Sequence, residues 1–113
     1  MKICHSYFGL LLVLALTTIS GCTGHYYHLE GNELELNLKR PEAEKVIFLS
    51  SLDGFLPHPT QSKNRCWVYT VPAGRTFRYF YLVDGDVFTP DCPMKEKDDF
   101  GSENCVYMPG VMK

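Results

Sequence analysis

Alternation is the feature that most constrains this chain. In "ELELNLK", Leu34, Leu36 and Leu38 take every second position, and Glu33, Glu35 and Asn37 take the positions between. Successive side chains leave an extended strand on opposite faces, so the pattern buries one face and wets the other. On a helix the same leucines would scatter around the axis instead of forming a stripe. "RTFRYFYLV" repeats the pattern, with Phe77, Tyr79, Tyr81 and Val83 on one face. "KVIFLSS" and "CWVYTV" are β-branched and aromatic runs of strand character. "DVFTPD" reads as a short strand, because Pro90 removes a ladder donor, and "NCVYM" as the last one. "LDGFLPHPTQSKN" carries Gly54, Pro57 and Pro59 and reads as a loop, as does the polar "PMKEKDDFGSE". No segment in this part of the chain reads as an amphipathic helix. Five or six short strands with regularly spaced turn signals predict an all-β fold, a small β-sandwich.

The first twenty-one residues read as an address. Lys2 gives a positive start, and "YFGLLLVLALTTIS" is an apolar run too short for a stable membrane helix. It ends in Ile19-Ser20-Gly21-Cys22, which resembles a bacterial lipobox, where cleavage precedes a lipidated cysteine. Residues 1–21 are therefore expected to be a cleaved lipoprotein signal peptide and residues 22–31 the lipidated Cys22 with a polar, aromatic tether. Residues 32–110 are expected to be the domain. Several acyl chains on one cysteine make a stable anchor, since each buried CH₂ contributes about 0.8 kcal/mol. Thr23, rather than an aspartate, follows the cysteine. In the Gram-negative pattern this resembles, that favours the outer membrane, facing the periplasm or the cell surface.

With 113 residues the chain allows one small domain. The formal net charge is −2, and removal of Lys2 makes the remainder more acidic, so a basic footprint for nucleic acid is absent. Of the five cysteines, Cys4 leaves with the signal and Cys22 carries lipid. An exported protein meets oxidising conditions, so one disulfide is expected among Cys66, Cys92 and Cys105. Cys92–Cys105 is favoured because the pair brackets one polar loop that strand pairing would close; connectivity through Cys66 stays open. If unpaired, Cys66 within its strand reads as a buried, inert thiol.

Catalytic and metal chemistry find little support. Asp84-Gly85 is a hairpin-turn dipeptide on an exposed bend, which does not give one carboxylate a raised pKa beside an ionised one. Asp91, Asp98, Asp99 and Glu103 could approach a hard cation, but Lys95 and Lys97 interleave and no EF-hand spacing appears. His25, His28 and His58 have no zinc-type spacing with the cysteines, and His25 and His28 are expected to be solvated in the tether. No cofactor is expected, and the chain is not expected to be an enzyme.

"KVIFLSSLDGF", "WVYTVPAG", "FRYFYLVDGDVFTPD" and "DDFGSENCVYM" follow one another in an order that resembles carbohydrate-binding module family forty-eight. The glycogen-binding module of the AMP-activated protein kinase beta subunit belongs to that family. The resemblance spans roughly residues 33–108. It implies an immunoglobulin-like, early-set β-sandwich that binds linear α-glucans with exposed aromatic rings, a lysine, a small hydroxyl and an asparagine. Asn104, Ser102 and Phe100 match the family's asparagine, hydroxyl and apolar contact, and Phe55 falls, with a gap, near its first tryptophan platform. Val87 stands in place of the second platform and Phe80 in place of the lysine. A valine offers no flat face, so Phe80 either supplies a replacement ring or packs under a loop.

The sequence therefore predicts a lipid-anchored envelope protein with a non-catalytic carbohydrate-binding module. Its partner would be an α-glucan or another glycan, held by Phe55, Phe80, Phe100, Ser102 and Asn104. The alternative is a protein-interaction or structural module that docks an envelope partner after its sugar site has decayed.

Overall fold

A computed structural model describes residues 24–111. The predicted signal peptide and the predicted lipidation site at Cys22 lie outside the described residues.

The structure is a sandwich of two antiparallel sheets, with no α-helix among the described residues. The first sheet has the order β1-β2-β6-β5, from β1 (His25–Glu30), β2 (Glu33–Leu38), β5 (Gln61–Lys63) and β6 (Cys66–Pro72). The second has the order β4-β3-β7-β10-β9, from β3 (Val46–Ser50), β4 (His58–Pro59), β7 (Phe77–Val83), β9 (Lys95–Lys97) and β10 (Glu103–Tyr107). A short β8 (Asp86–Phe88) pairs with Tyr81–Val83, on the side of β7 where β10 pairs with Phe77–Tyr79.

The alternation sorts the residues as predicted. Leu34, Leu36 and Leu38 lie opposite Val71, Tyr69 and Trp67 in register, and the three leucines are at most 2 % exposed. From the second sheet Phe48, Phe77, Tyr79, Tyr81, Cys105 and Tyr107 meet them to form the core. Such aromatic side chains bury large areas each, which lets a domain this small exclude water from its centre. Cys92 and Cys105 form a disulfide with Cα atoms 6.0 Å apart, tying the segment after β8 to β10.

Five local readings change. The expected tether is a strand: β1 pairs along its whole length with β2, from His25 opposite Leu38 to Glu30 opposite Glu33. Its alternation was masked by histidines and tyrosines, which score as polar yet bury well. The loop after β3 contains a 3-10 turn (Ser51–Asp53) together with β4 and β5, and the polar loop before β10 contains β9. These strands lie at sheet edges, where polar residues are tolerated and give no alternating signal. Asn37, expected on a wet face, is only 3 % exposed. Cys66, expected as a thiol, is buried and disulfide-bonded.

Candidate functional site: the outer face of the second sheet

Even-numbered residues of β7 point away from the core. Phe80 lies opposite Leu49 of β3, Leu82 opposite Ile47, and Arg78 opposite Val106 of β10. Continuing the β7–β10 register one step beyond Cys105–Tyr79 brings Asn104 beside Phe80 on this outer face. Leu49 and Val106 are buried although they lie outside the core cluster, so the face is partly covered. Arg78 and Glu96 form an ion pair at 3.6 Å at its margin.

Phe55 supplies part of that cover. Its ring stacks on Phe80, with centroids 5.9 Å apart and planes 26° from parallel, and both residues are half-buried. The backbone of Phe55 pays for this position: its φ is 64°, the left-handed region that bulky residues avoid at a cost on the order of 1 kcal/mol. Gly54, also at positive φ, caps the 3-10 turn, and the Phe55 N–H donates to the Ser50 carbonyl at 2.7 Å. The turn thus throws the ring back over β7.

The other matched residues sit at the β9–β10 turn. One Asp98 carboxylate oxygen accepts the N–H groups of Phe100 at 2.8 Å and Ser102 at 2.9 Å, and the Asp98 N–H donates to the Ser102 carbonyl. Phe100 is 93 % exposed at its tip, Ser102 is exposed, and Asn104 follows at the root with 7 % exposure. Val87 lies opposite Leu82 on the same outer face and is 67 % exposed. Phe55 and Phe80 therefore come together, Asn104 lies one register step beyond the paired Cys105 and Tyr79, and Phe100 and Ser102 sit on the turn before β10. Flat rings, an amide and a hydroxyl can stack on and hydrogen-bond a polyol.

Asp84 and Gly85 form the two-residue turn of the β7–β8 hairpin, with φ of 50° and 89°. The Asp84 carboxylate accepts the N–H groups of Glu44 at 2.9 Å and Lys45 at 2.8 Å, and its own N–H donates to the Lys45 carbonyl. It is a clamp between two loops as well as a bend.

Two further polar groupings occur. Asp53 and His58 are hydrogen-bonded at the rim of a 140 Å³ cleft beside Ser50, Tyr69 and Thr70, and this bond holds the Asp53 carboxyl below its usual pKa. His58 also stacks on Tyr69, which stacks on Phe48. The second grouping corrects the expected solvation of His25. Its imidazole lies between the sheets, with Nε2 3.3 Å from the hydroxyls of both Tyr79 and Tyr81. Tyr27 and Tyr79 share a hydroxyl–hydroxyl bond at 2.5 Å. Burial lowers the His25 pKa to about 4 and raises those of Tyr27, Tyr79 and Tyr81. His25-x-Tyr27 and Tyr79-x-Tyr81 are the signal that sequence reasoning passed over: paired inward positions on two strands.

A scan of the chain against models of known protein families finds no match, and a search of curated proteins finds none.

Proposed function

We propose that this chain is a lipid-anchored envelope protein whose sandwich, of immunoglobulin-like early-set type, binds a glycan on the outer face of its second sheet without catalysing a reaction. The observation that carries this reading is the stacked pair Phe55–Phe80 with Asn104 beside it. A pyranose presents an apolar C–H face that such rings desolvate at low entropic cost, and the amide supplies the directional contact. Phe80 replaces the flat surface that Val87 does not provide. Phe100 and Ser102, on the Asp98-organised turn, extend the contact along a linear α-glucan.

Affinity electrophoresis of the full chain in gels containing glycogen, maltoheptaose-bearing polymer or cell-wall glycans tests this. Retardation that Phe80→Ala and Asn104→Ala each diminish is expected; no retardation by any glycan overturns it. Anchoring is tested separately by incorporation of labelled palmitate, expected in the native chain and lost in Cys22→Ser. A lipid thioether occupies the cysteine sulfur, so finding Cys22 in a disulfide by non-reducing peptide mapping would overturn the anchor.

The exposure of Val87 and Phe100 favours a second reading, in which the same face docks an envelope protein. Cross-linking from Val87→Cys in intact cells, together with absence of glycan retardation, would select it.

A further inference from the structure

The first sheet ends in an open edge beside an apolar cavity. β1 is the outermost strand, and among the described residues no strand pairs with its other side. The Lys39 N–H donates to the Gly24 carbonyl at 2.6 Å, which makes Gly24 and Lys39 a hydrogen-bonded pair. Such pairs recur at every second residue of an antiparallel ladder, so Tyr26, His28 and Glu30 also turn their backbone groups toward β2. The N–H and C=O groups of His25, Tyr27 and Leu29 therefore point to the open side. Sheet edges are ordinarily blunted by lysine, proline or a bulge. "HYYHLE" contains no lysine and no proline, and its register with β2 is continuous from His25 to Glu30.

The two sides of this edge differ in chemistry. On the inner side lies a cavity of about 500 Å³, bounded by Tyr27 and Leu29 of β1, Leu34 of β2, Tyr107 of β10, and Ala73 and Pro109. No charged side chain lines it. Residues opposite each other in a strand pair share one side of the sheet, so a residue placed opposite Tyr27 or Leu29 directs its side chain toward this cavity. Leu29 is 59 % exposed, which leaves apolar surface for such a side chain to cover. The outer side is acidic at one end. Glu30 and Glu33 are exposed and stand directly opposite each other, with no Lys or Arg paired to either among the described residues. Like charges so placed repel, and a cation beside them relieves the repulsion.

We propose that the β1 edge binds an extended segment of a partner protein as an added antiparallel strand, with apolar side chains on the cavity side and Lys or Arg alternating on the outer side. Residues opposite His25, Tyr27 and Leu29 supply both the backbone hydrogen bonds and the apolar side chains, and a cation stands opposite Glu30. A second copy of β1 does not fit this description, because "HYYHLE" has no Lys or Arg. The edge belongs to the first sheet and lies apart from the outer face of the second, so it stands or falls independently of glycan binding.

The probe is an acetylated, amidated hexapeptide of alternating valine and lysine, added to the full chain in detergent micelles and followed by NMR. It is expected to slow amide exchange at His25, Tyr27 and Leu29 at least about tenfold, and to leave Tyr26 and His28, already bonded to β2, unchanged. N-methylation of the valine amides, which face β1, should weaken binding at least about tenfold; N-methylation of the lysine amides, which face away, should change it less than about threefold. A valine–glutamate hexapeptide should bind at least about tenfold more weakly. Leu29→Pro removes an edge donor without touching the β1–β2 ladder and should also weaken binding at least about tenfold. The N-methylated peptides test the same edge in the unaltered chain. No effect of the valine–lysine peptide at up to about 1 mM overturns the proposal, as does binding that valine N-methylation leaves intact. Equal binding of the valine–glutamate peptide overturns the selection for a cation. A chain that dimerises without peptide, and loses the dimer in Leu29→Pro, makes a second copy the occupant and overturns the assignment to a partner segment.

Discussion

The Phe55 ring lies stacked against the Phe80 ring, 26° from parallel, although Phe55 must adopt a left-handed backbone to reach it. If the stack holds Phe55 in place, the two residues are energetically coupled. A double-mutant cycle of Phe55→Ala and Phe80→Ala, read by urea denaturation, should give a coupling of about 0.5–1.5 kcal/mol. Phe55→Gly relieves the backbone and is expected to cost less stability than Phe55→Ala.

Asp84 joins the β7–β8 hairpin to the loop before β3 through two backbone N–H groups. Asp84→Ala hands both exposed donors to water and places alanine at positive φ, so a loss of about 1–2 kcal/mol is expected. Asp84→Asn keeps an acceptor and tolerates the backbone, so it should lose about half as much. Chemical denaturation of the two variants at neutral pH distinguishes them.

His25 makes stability depend on pH. Its folded pKa of about 4 lies below the unfolded value near 6.5, so the unfolded chain binds its proton first. The native state therefore loses stability as pH falls from about 6.5 to about 4, by up to about 3 kcal/mol. Carboxylates titrate in the lower part of that range. The check is the difference between the native chain and His25→Phe, whose stability should be flatter from pH 6.5 to 5. Equal slopes would show that His25 is not buried neutral.

The Cys92–Cys105 disulfide closes a short loop whose ends are 13 positions apart in sequence. Selective loss of this bridge, as in Cys92→Ala/Cys105→Ala, should lower stability by about 3 kcal/mol in the chain-entropy picture. Thermal denaturation should show a correspondingly lower midpoint.

The sandwich was legible because alternation at Leu34, Leu36, Leu38 and at Phe77, Tyr79, Tyr81 is a local signal that needs no knowledge of partners. The Asp84-Gly85 bend was legible for the same reason, since turn chemistry is written in the dipeptide. Phe55 shows the limit: its proximity to Phe80 depends on a positive-φ backbone that propensity argues against. The β1 residues show another, because "HYYHLE" has a clear inward face only once a neighbouring strand defines which side is inside.

Sequence alone determined that this chain builds two-faced strands around an aromatic core, since side-chain period is a property of the extended backbone itself. Tertiary structure decided which residues from distant strands meet. It set Phe55 against Phe80, and it brought His25 and Tyr27 to Tyr79 and Tyr81. Those encounters depend on strand order, register and the spacing of two sheets, which arise from packing the whole core at once and leave no trace in any single segment.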